Sequence, residues 1–153
     1  MTSPFPFVAG ATLTAAQLND LGDLQTFTPT WNNVTLGASG TAVGKYAQIQ
    51  NLVFYKASFD LGGTGSITGH INLSLPVGTG DTSTTYHVAS QAWVRPTGGT
   101  IYHGMCYQSS SGLFLYHYNV IGSTNKASSI NATAPATWDA NGTAHISGWY
   151  LTT

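Results

Sequence analysis

Apolar and polar residues alternate along much of this chain, and this period of two is the feature that most constrains its fold. In residues 66–75, Ile67, Ile71 and Leu73 share one parity, and mostly polar residues occupy the other. Successive side chains of a β-strand point to opposite faces of the sheet. The pattern therefore predicts a strand with one buried and one polar face, which Pro76 ends because proline donates no backbone hydrogen bond.

Two further segments have the same period. The second predicted inward row contains Val53, Tyr55, Ala57, Phe59 and Leu61. The third contains Tyr86, Val88, Ala92 and Val94. If these rows face the core, Trp93 must face outward with His87 and Gln91.

Turn signals divide the rest of the chain into strands. One predicted hairpin turns near Gln50 and Asn51, and a second turns at residues 109–112. Residues 122–142 are polar and are interpreted as a loop before a last strand at 142–153. About eight short strands with glycine-rich turns predict an all-β fold, an antiparallel and jelly-roll-like β-sandwich.

One short amphipathic helix is predicted before the first strand. Thr14 suits its N-cap position, and Gln17, three residues later, completes a capping box. A helix of about ten residues is marginal alone in water, so we expect it to dock on another surface. The predicted attachment residues are Leu13, Thr14, Gln17, Leu18, Leu21 and Leu24. The chain thus divides into an arm with the helix, residues 1–26, and a β-sandwich, residues 27–153.

Charged residues are scarce. Only 6% of residues are Asp, Glu, Lys or Arg, whereas a typical soluble domain has roughly 25%. The four cations are scattered along the sequence, so we expect no nucleic-acid partner. No apolar run approaches a transmembrane length, and we expect no membrane insertion. A net charge of −1 does little to oppose self-association, which favours an oligomer.

The sequence predicts neither a catalytic site nor a cofactor site. It has no G-x-S-x-G nucleophile elbow, and its five carboxylates suggest no pair of the kind that glycoside hydrolysis needs. The five histidines have no metal-ligand spacing, although a histidine ring around a three-fold axis remains open. We therefore expect a protein without enzymatic activity, bound metal or cofactor.

Outward aromatic and amide side chains are the candidate functional residues. The candidates are Trp93, His87, Gln91, Tyr102, Tyr116 and Tyr118. Aromatic rings can stack on sugar rings while amides bond hydroxyl groups, but subunit interfaces are also rich in aromatic residues and poor in charge. We favour a subunit interface and keep the glycan site as the alternative.

Several short segments resemble those of phage appendage proteins. Residues 7–19, FVAGATLTAAQLN, resemble a G-x-x-L-T-A-A-x-L-N segment near the start of many phage tail, fibre and appendage proteins. Residues 27–31, FTPTW, are similar to the opening of small β-sandwich domains in those proteins. Residues 44–53 resemble their G-x-Y-x-x-x-G-x-x-V hairpin, and Asn51 is expected to take the conformation of the turn glycine. Residues 146–150, ISGWY, resemble their closing strand.

This resemblance implies a homotrimeric structural protein of a phage virion. Its expected function is that of a tail-fibre or receptor-binding knob, made in the host cytoplasm, which attaches to other virion proteins through its N-terminal arm. The expected host contact is a cell-surface glycan. A capsid decoration or head-fibre protein is the first alternative, and a sugar-binding module is the second.

Overall fold

The computed structural model describes residues 23–81, 87–121 and 124–153, and every regular element in these ranges is a β-strand. The all-β prediction is therefore confirmed. The predicted helix, with Leu13, Thr14, Gln17, Leu18 and Leu21, lies outside the described residues. Leu24 is described: it is 56% exposed and directly precedes the first strand.

Within the described ranges, ten strands form one antiparallel sheet. They are β1 (Gln25–Phe27), β2 (Trp31–Thr35), β3 (Thr41–Ile49), β4 (Leu52–Asp60), β5 (Ser66–Ser74), β6 (His87–Arg95), β7 (Tyr102–Gln108), β8 (Gly112–Ile121), β9 (Thr124–Ser129) and β10 (Thr143–Leu151). The order across the sheet is β1-β3-β4-β10-β6-β7-β8-β5-β2, and β9 pairs with β8. The sheet curls into a half-barrel, and a division into the two sheets of a sandwich or jelly roll is not shown.

The curl brings distant strands together over a single core. Trp31 in β2, at one end of the strand order, packs edge-on against Phe59 in β4 with ring centroids 4.9 Å apart. Val53, Tyr55, Ala57, Phe59 and Leu61 are all buried, as are Ile67, Ile71 and Leu73. These two predicted inward rows are confirmed. In the third row Ala92 and Val94 are buried. Tyr86 and the side chain of Val88 lie outside the part of the chain that the structure describes.

Both predicted hairpins are present, and one detail differs. The β3–β4 hairpin turns at Gln50 and Asn51, but Gln50, and not Asn51, has the positive φ of 55°. The β7–β8 hairpin is closed by the Ser109 amide, which donates to the Gly112 carbonyl at 2.8 Å. Both turns join strands that are neighbours in sequence, where local turn chemistry specifies the pairing.

The prediction of a loop over residues 122–142 is wrong in its first part, because Thr124–Ser129 forms β9. Its sequence, TNKASS, has no alternating apolar residues, so the hydrophobic period gives no signal there. The strand forms by backbone pairing with β8, from Ser129 opposite Tyr116 to Thr124 opposite Ile121. The described residues form ten strands, more than the predicted eight, because β9 and the short β1 have no hydrophobic period in the sequence.

A buried tyrosine joins the last strand to the segment after β5. The Tyr150 hydroxyl donates to the Val77 carbonyl at 2.8 Å and accepts from the Val77 amide at 3.0 Å. Burial raises the pKa of Tyr150 to about 12, so the hydroxyl keeps its proton at neutral pH. This single side chain satisfies two backbone groups that lie 73 residues away in sequence.

Tyr150→Phe is expected to lower the free energy of unfolding by about 1–3 kcal/mol, because it leaves the Val77 amide and carbonyl without their partner. Tyr118→Phe is the matched control: that ring is 60% exposed, and surface changes usually stay within about 0.5 kcal/mol. Urea unfolding measures both values. Equal losses in the two variants would show that the Tyr150 hydroxyl does not stabilise the fold.

Candidate functional site

An open cleft of about 900 Å³ lies on the face of the sheet opposite the core. The parity of the central strands explains its lining. In β10, Ala144 and Ile146 are buried in the core, so His145 and Ser147 lie on the other face. In β6, buried Ala92 and Val94 leave Gln91 and Trp93 on the cleft side.

Ring-bearing side chains form a row across four neighbouring strands. We call this the ring row; it contains His145, Trp93, His103 and Tyr118. His145 in β10 pairs with Trp93 in β6, and Trp93 pairs with His103 in β7. Continuing the β7–β8 register one position beyond Gly104–His117 places Tyr118 opposite His103. Directly opposite residues in antiparallel strands have Cβ atoms about 4.5–5.5 Å apart, so these four side chains are neighbours.

The contact between Trp93 and His145 is a parallel stack. Their ring centroids are 4.1 Å apart and their planes differ by 11°. The stack covers one face of each ring, and because both residues are only half-buried, the rest of the two rings remains partly open to solvent. Such a surface suits a flat, partly apolar ligand.

Burial lowers the pKa of His145 below its ordinary value, with Asp60 opposing this shift and Arg95 adding to it. The imidazole in the stack is therefore mainly neutral at pH 7. In the unfolded chain a histidine with a pKa near 6.5 binds the proton more readily. His145 thus contributes stability above about pH 6.5 that is lost as the pH falls through its lower folded-state pKa.

A second row runs beside the first, two residues away along each shared strand. We call it the polar row; it contains Thr26, Lys45, Lys56, Ser147 and Gln91. Its members pair consecutively across β1, β3, β4, β10 and β6. The cleft floor therefore offers aromatic rings in one row and hydroxyl, ammonium and amide groups in the next.

An exposed apolar pair continues the same face beyond the polar row. Trp149 in β10 lies opposite Phe54 in β4, and the two residues are 49% and 43% exposed. We call these two residues the apolar patch.

The structure brings only some of the predicted candidates together. Trp93, Gln91 and Tyr118 line the cleft. Tyr102 was expected to face outward, but it packs against the core. Its strand places Tyr102 on the parity of buried Cys106, so the outward interpretation is wrong for this residue. The side chain of His87 lies outside the described part of the structure.

Tyr116 belongs to a separate aromatic cluster. It meets His70 and Tyr107 edge-on, each with ring centroids 4.8 Å apart. His70 is held there by a hydrogen bond between its Nε2 and the Leu115 carbonyl, 2.7 Å long. Tyr116 is therefore a packed side chain and does not line the cleft.

Sequence reasoning missed six residues of the two rows: His145, His103, Thr26, Lys45, Lys56 and Ser147. Each lies on the polar parity of its strand. Their proximity depends on the placement of β10 between β4 and β6. Strands far apart in sequence pair through tertiary packing, and local patterns do not specify that choice.

Other chemistry has little support in the described ranges. No group of three or more His, Cys, Asp or Glu side chains is placed there to hold a metal ion. Cys106 is buried on the core side, and burial raises the pKa of its thiol to about 12, so it stays protonated at neutral pH. No helix in the described part of the chain is long and apolar enough to cross a membrane.

Comparison with known proteins found no matching family model, no similar curated protein and no similar solved structure.

We expect Trp93→Ala to raise the pKa of His145 towards its ordinary value of about 6.5, because removing the indole lets water reach the imidazole. NMR titration of the imidazole resonances measures this shift. Trp149→Ala is the control, since Trp149 lies on the same face but is not stacked on His145. An unchanged pKa in Trp93→Ala would show that the indole does not cause the burial effect.

Proposed function

We propose that this protein is a non-enzymatic structural component of a phage particle. In this proposal it is a tail-fibre or receptor-binding knob that attaches through residues 1–26 and uses the cleft to contact the host surface. The curled sheet serves as the compact, β-sandwich-like head that the resemblance implies. The observation that carries the host-contact role is the ring row lying directly beside the polar row.

A saccharide is the ligand that best fits the two rows. A sugar ring has one relatively apolar face, which can lie on the Trp93–His145 stack and on Tyr118. Its hydroxyl groups both donate and accept hydrogen bonds, which matches the Gln91 amide and the Ser147 hydroxyl. Small-molecule sites are typically concave, with aromatic walls and a few placed polar groups. The cleft has this composition.

The apolar patch supports a subunit interface separate from the cleft. Exposed neighbouring aromatic residues such as Phe54 and Trp149 often mark protein contacts. We place the subunit interface at the apolar patch and the glycan contact in the cleft, so that each has its own part of the face. In a trimer, three clefts could engage one surface together and raise a weak affinity by roughly 10²–10⁴.

The head-fibre alternative uses the same arm and the same fold. Antibody labelling of intact phage particles separates the two locations. A label at the tail supports the receptor-binding proposal, and a label on the shell supports a capsid decoration protein.

The isolated protein is expected to be a trimer, with a mass three times the 16.0 kDa of the chain. The exposed apolar patch and the low net charge motivate this expectation. Light scattering at micromolar concentration measures the mass. A stable monomer at that concentration would contradict the trimer and remove the multivalency argument.

Trp93→Ala is expected to reduce binding to host cells by at least about tenfold, because it removes the central ring of the ring row. Labelled protein applied to a panel of bacterial strains identifies the strain that it binds, and the variant is compared on that strain. Ile101→Ala is the control, since Ile101 is exposed but does not line the cleft. Equal binding of wild type and Trp93→Ala would refute a host-contact role for the cleft.

A further inference from the structure

The distribution of charge around the cleft is uneven. The chain has only four Lys and Arg residues, and two of them, Lys45 and Lys56, lie directly opposite each other on β3 and β4. Both are exposed, and both line the cleft. Like charges placed directly opposite each other in a sheet repel, so the Lys45–Lys56 pair does not stabilise the pairing of β3 with β4.

No carboxylate lines the cleft among the described residues. Asp60 is the carboxylate on the same face of β4, but it lies four residues from Lys56, roughly 13 Å along the strand. Its neighbours there are Thr41, whose hydroxyl donates to it at 3.5 Å, and Thr143, which pairs with both Asp60 and Arg95. Within the described ranges, neither Lys45 nor Lys56 has a carboxylate partner.

We infer that the cleft binds an acidic saccharide, with its anionic group between Lys45 and Lys56 and its ring on the ring row. This inference deepens the proposed host-contact function and depends on it. An anion between the two ammonium groups removes their mutual repulsion and accepts charge-assisted hydrogen bonds, which are stronger than neutral ones. The shared chemistry is a sugar that carries a carboxylate or a phosphate.

The dimensions of the floor suit a short oligosaccharide. Lys56 and Trp93 are separated by two strand spacings along the sheet and by two residues along the strand. In a regular sheet this corresponds to roughly 12 Å between Cα atoms. Ser147 and His145 on β10 lie between them, and they supply a hydroxyl and an imidazole along the path. A saccharide of two or three residues can therefore reach both the lysine pair and the Trp93 ring.

The test uses matched probes that differ in charge. Trigalacturonate is compared with its fully methyl-esterified form, and glucose 6-phosphate with glucose, by calorimetry on the full-length protein. We expect at least one acidic probe to bind about tenfold more tightly than its neutral partner, as a hydrogen bond to a charged group would give. The preference should weaken at high salt, because the lysines are exposed. The uronate and phosphate pairs show which anion the site prefers.

Variants separate the roles of the two rows. The double variant Lys45→Gln/Lys56→Gln should abolish the preference for the acidic probe while keeping the affinity for the neutral one. Trp93→Ala should weaken the binding of both the acidic and the neutral probe. Lys126→Gln is the matched control, since Lys126 is exposed on β9 and does not line the cleft.

Three outcomes would overturn the inference. Equal affinity for the acidic and neutral probes would refute the preference for an acidic ligand. It would not refute the host-contact proposal, because the cell binding of Trp93→Ala tests that proposal separately. A change in oligomeric mass in the double variant assigns the lysines to a contact between subunits. No binding of any probe at millimolar concentration removes the cleft as a site for acidic saccharides.

Discussion

The insertion of β10 between β4 and β6 is the constraint on which the rest of the structure depends. The last strand pairs with β4 over nine positions, from Thr143 opposite Asp60 to Leu151 opposite Leu52, and with β6 over six. It thereby joins the β3–β4 hairpin to the β6–β7–β8 meander in one sheet. Without this pairing, His145 and Trp93 would not be neighbours, and neither row of the cleft would be continuous.

Strand β10 also carries core residues on one face and cleft residues on the other. Ala144, Ile146 and Tyr150 are buried among the inward rows of β4 and β6. Buried Thr143 donates its hydroxyl hydrogen to the Phe59 carbonyl at 2.9 Å. His145, Ser147 and Trp149 alternate with Ala144, Ile146 and Tyr150 and lie on the other face; Thr143, although buried, has the parity of His145. The period of two therefore places core-forming and cleft-lining side chains on opposite faces of one strand.

Sequence patterns correctly predicted the features that depend on one short segment alone. The inward parity of residues 53–61 and the turn at 109–112 follow from alternation and turn chemistry within one short segment, and both were correct. The sequence did not reveal β9, because its pairing depends on the backbone of β8 and its own side chains carry no hydrophobic period. The outward prediction for Tyr102 is wrong because the sequence of β7 alone does not show which of its two faces is buried. Neighbouring strands bury the face that carries Tyr102 and Cys106, and that register is set by tertiary contacts.

The candidate site was only half predictable for the same reason. Parity alone places Trp93 away from the core, and that reasoning needs no partner strand. The partners of Trp93 come from β10 and β7, and the lysine pair comes from the β3–β4 register. Lys45 and Lys56 are eleven positions apart in sequence and looked scattered there. The hairpin places them side by side.

The proposal that ligands bind in the cleft, on the face of the sheet opposite the core, can be tested directly. The four tryptophans test it in one spectrum, because each reports a different environment: Trp31 is in the core, Trp138 packs against the core, Trp149 is in the apolar patch and Trp93 is in the cleft. The measurement is the NMR shift of the four indole N–H signals while trigalacturonate is added. If the cleft is the binding site, the Trp93 signal moves while those of Trp31 and Trp138 stay in place. Movement of the Trp31 or Trp138 signal with a stationary Trp93 signal would contradict binding in the cleft.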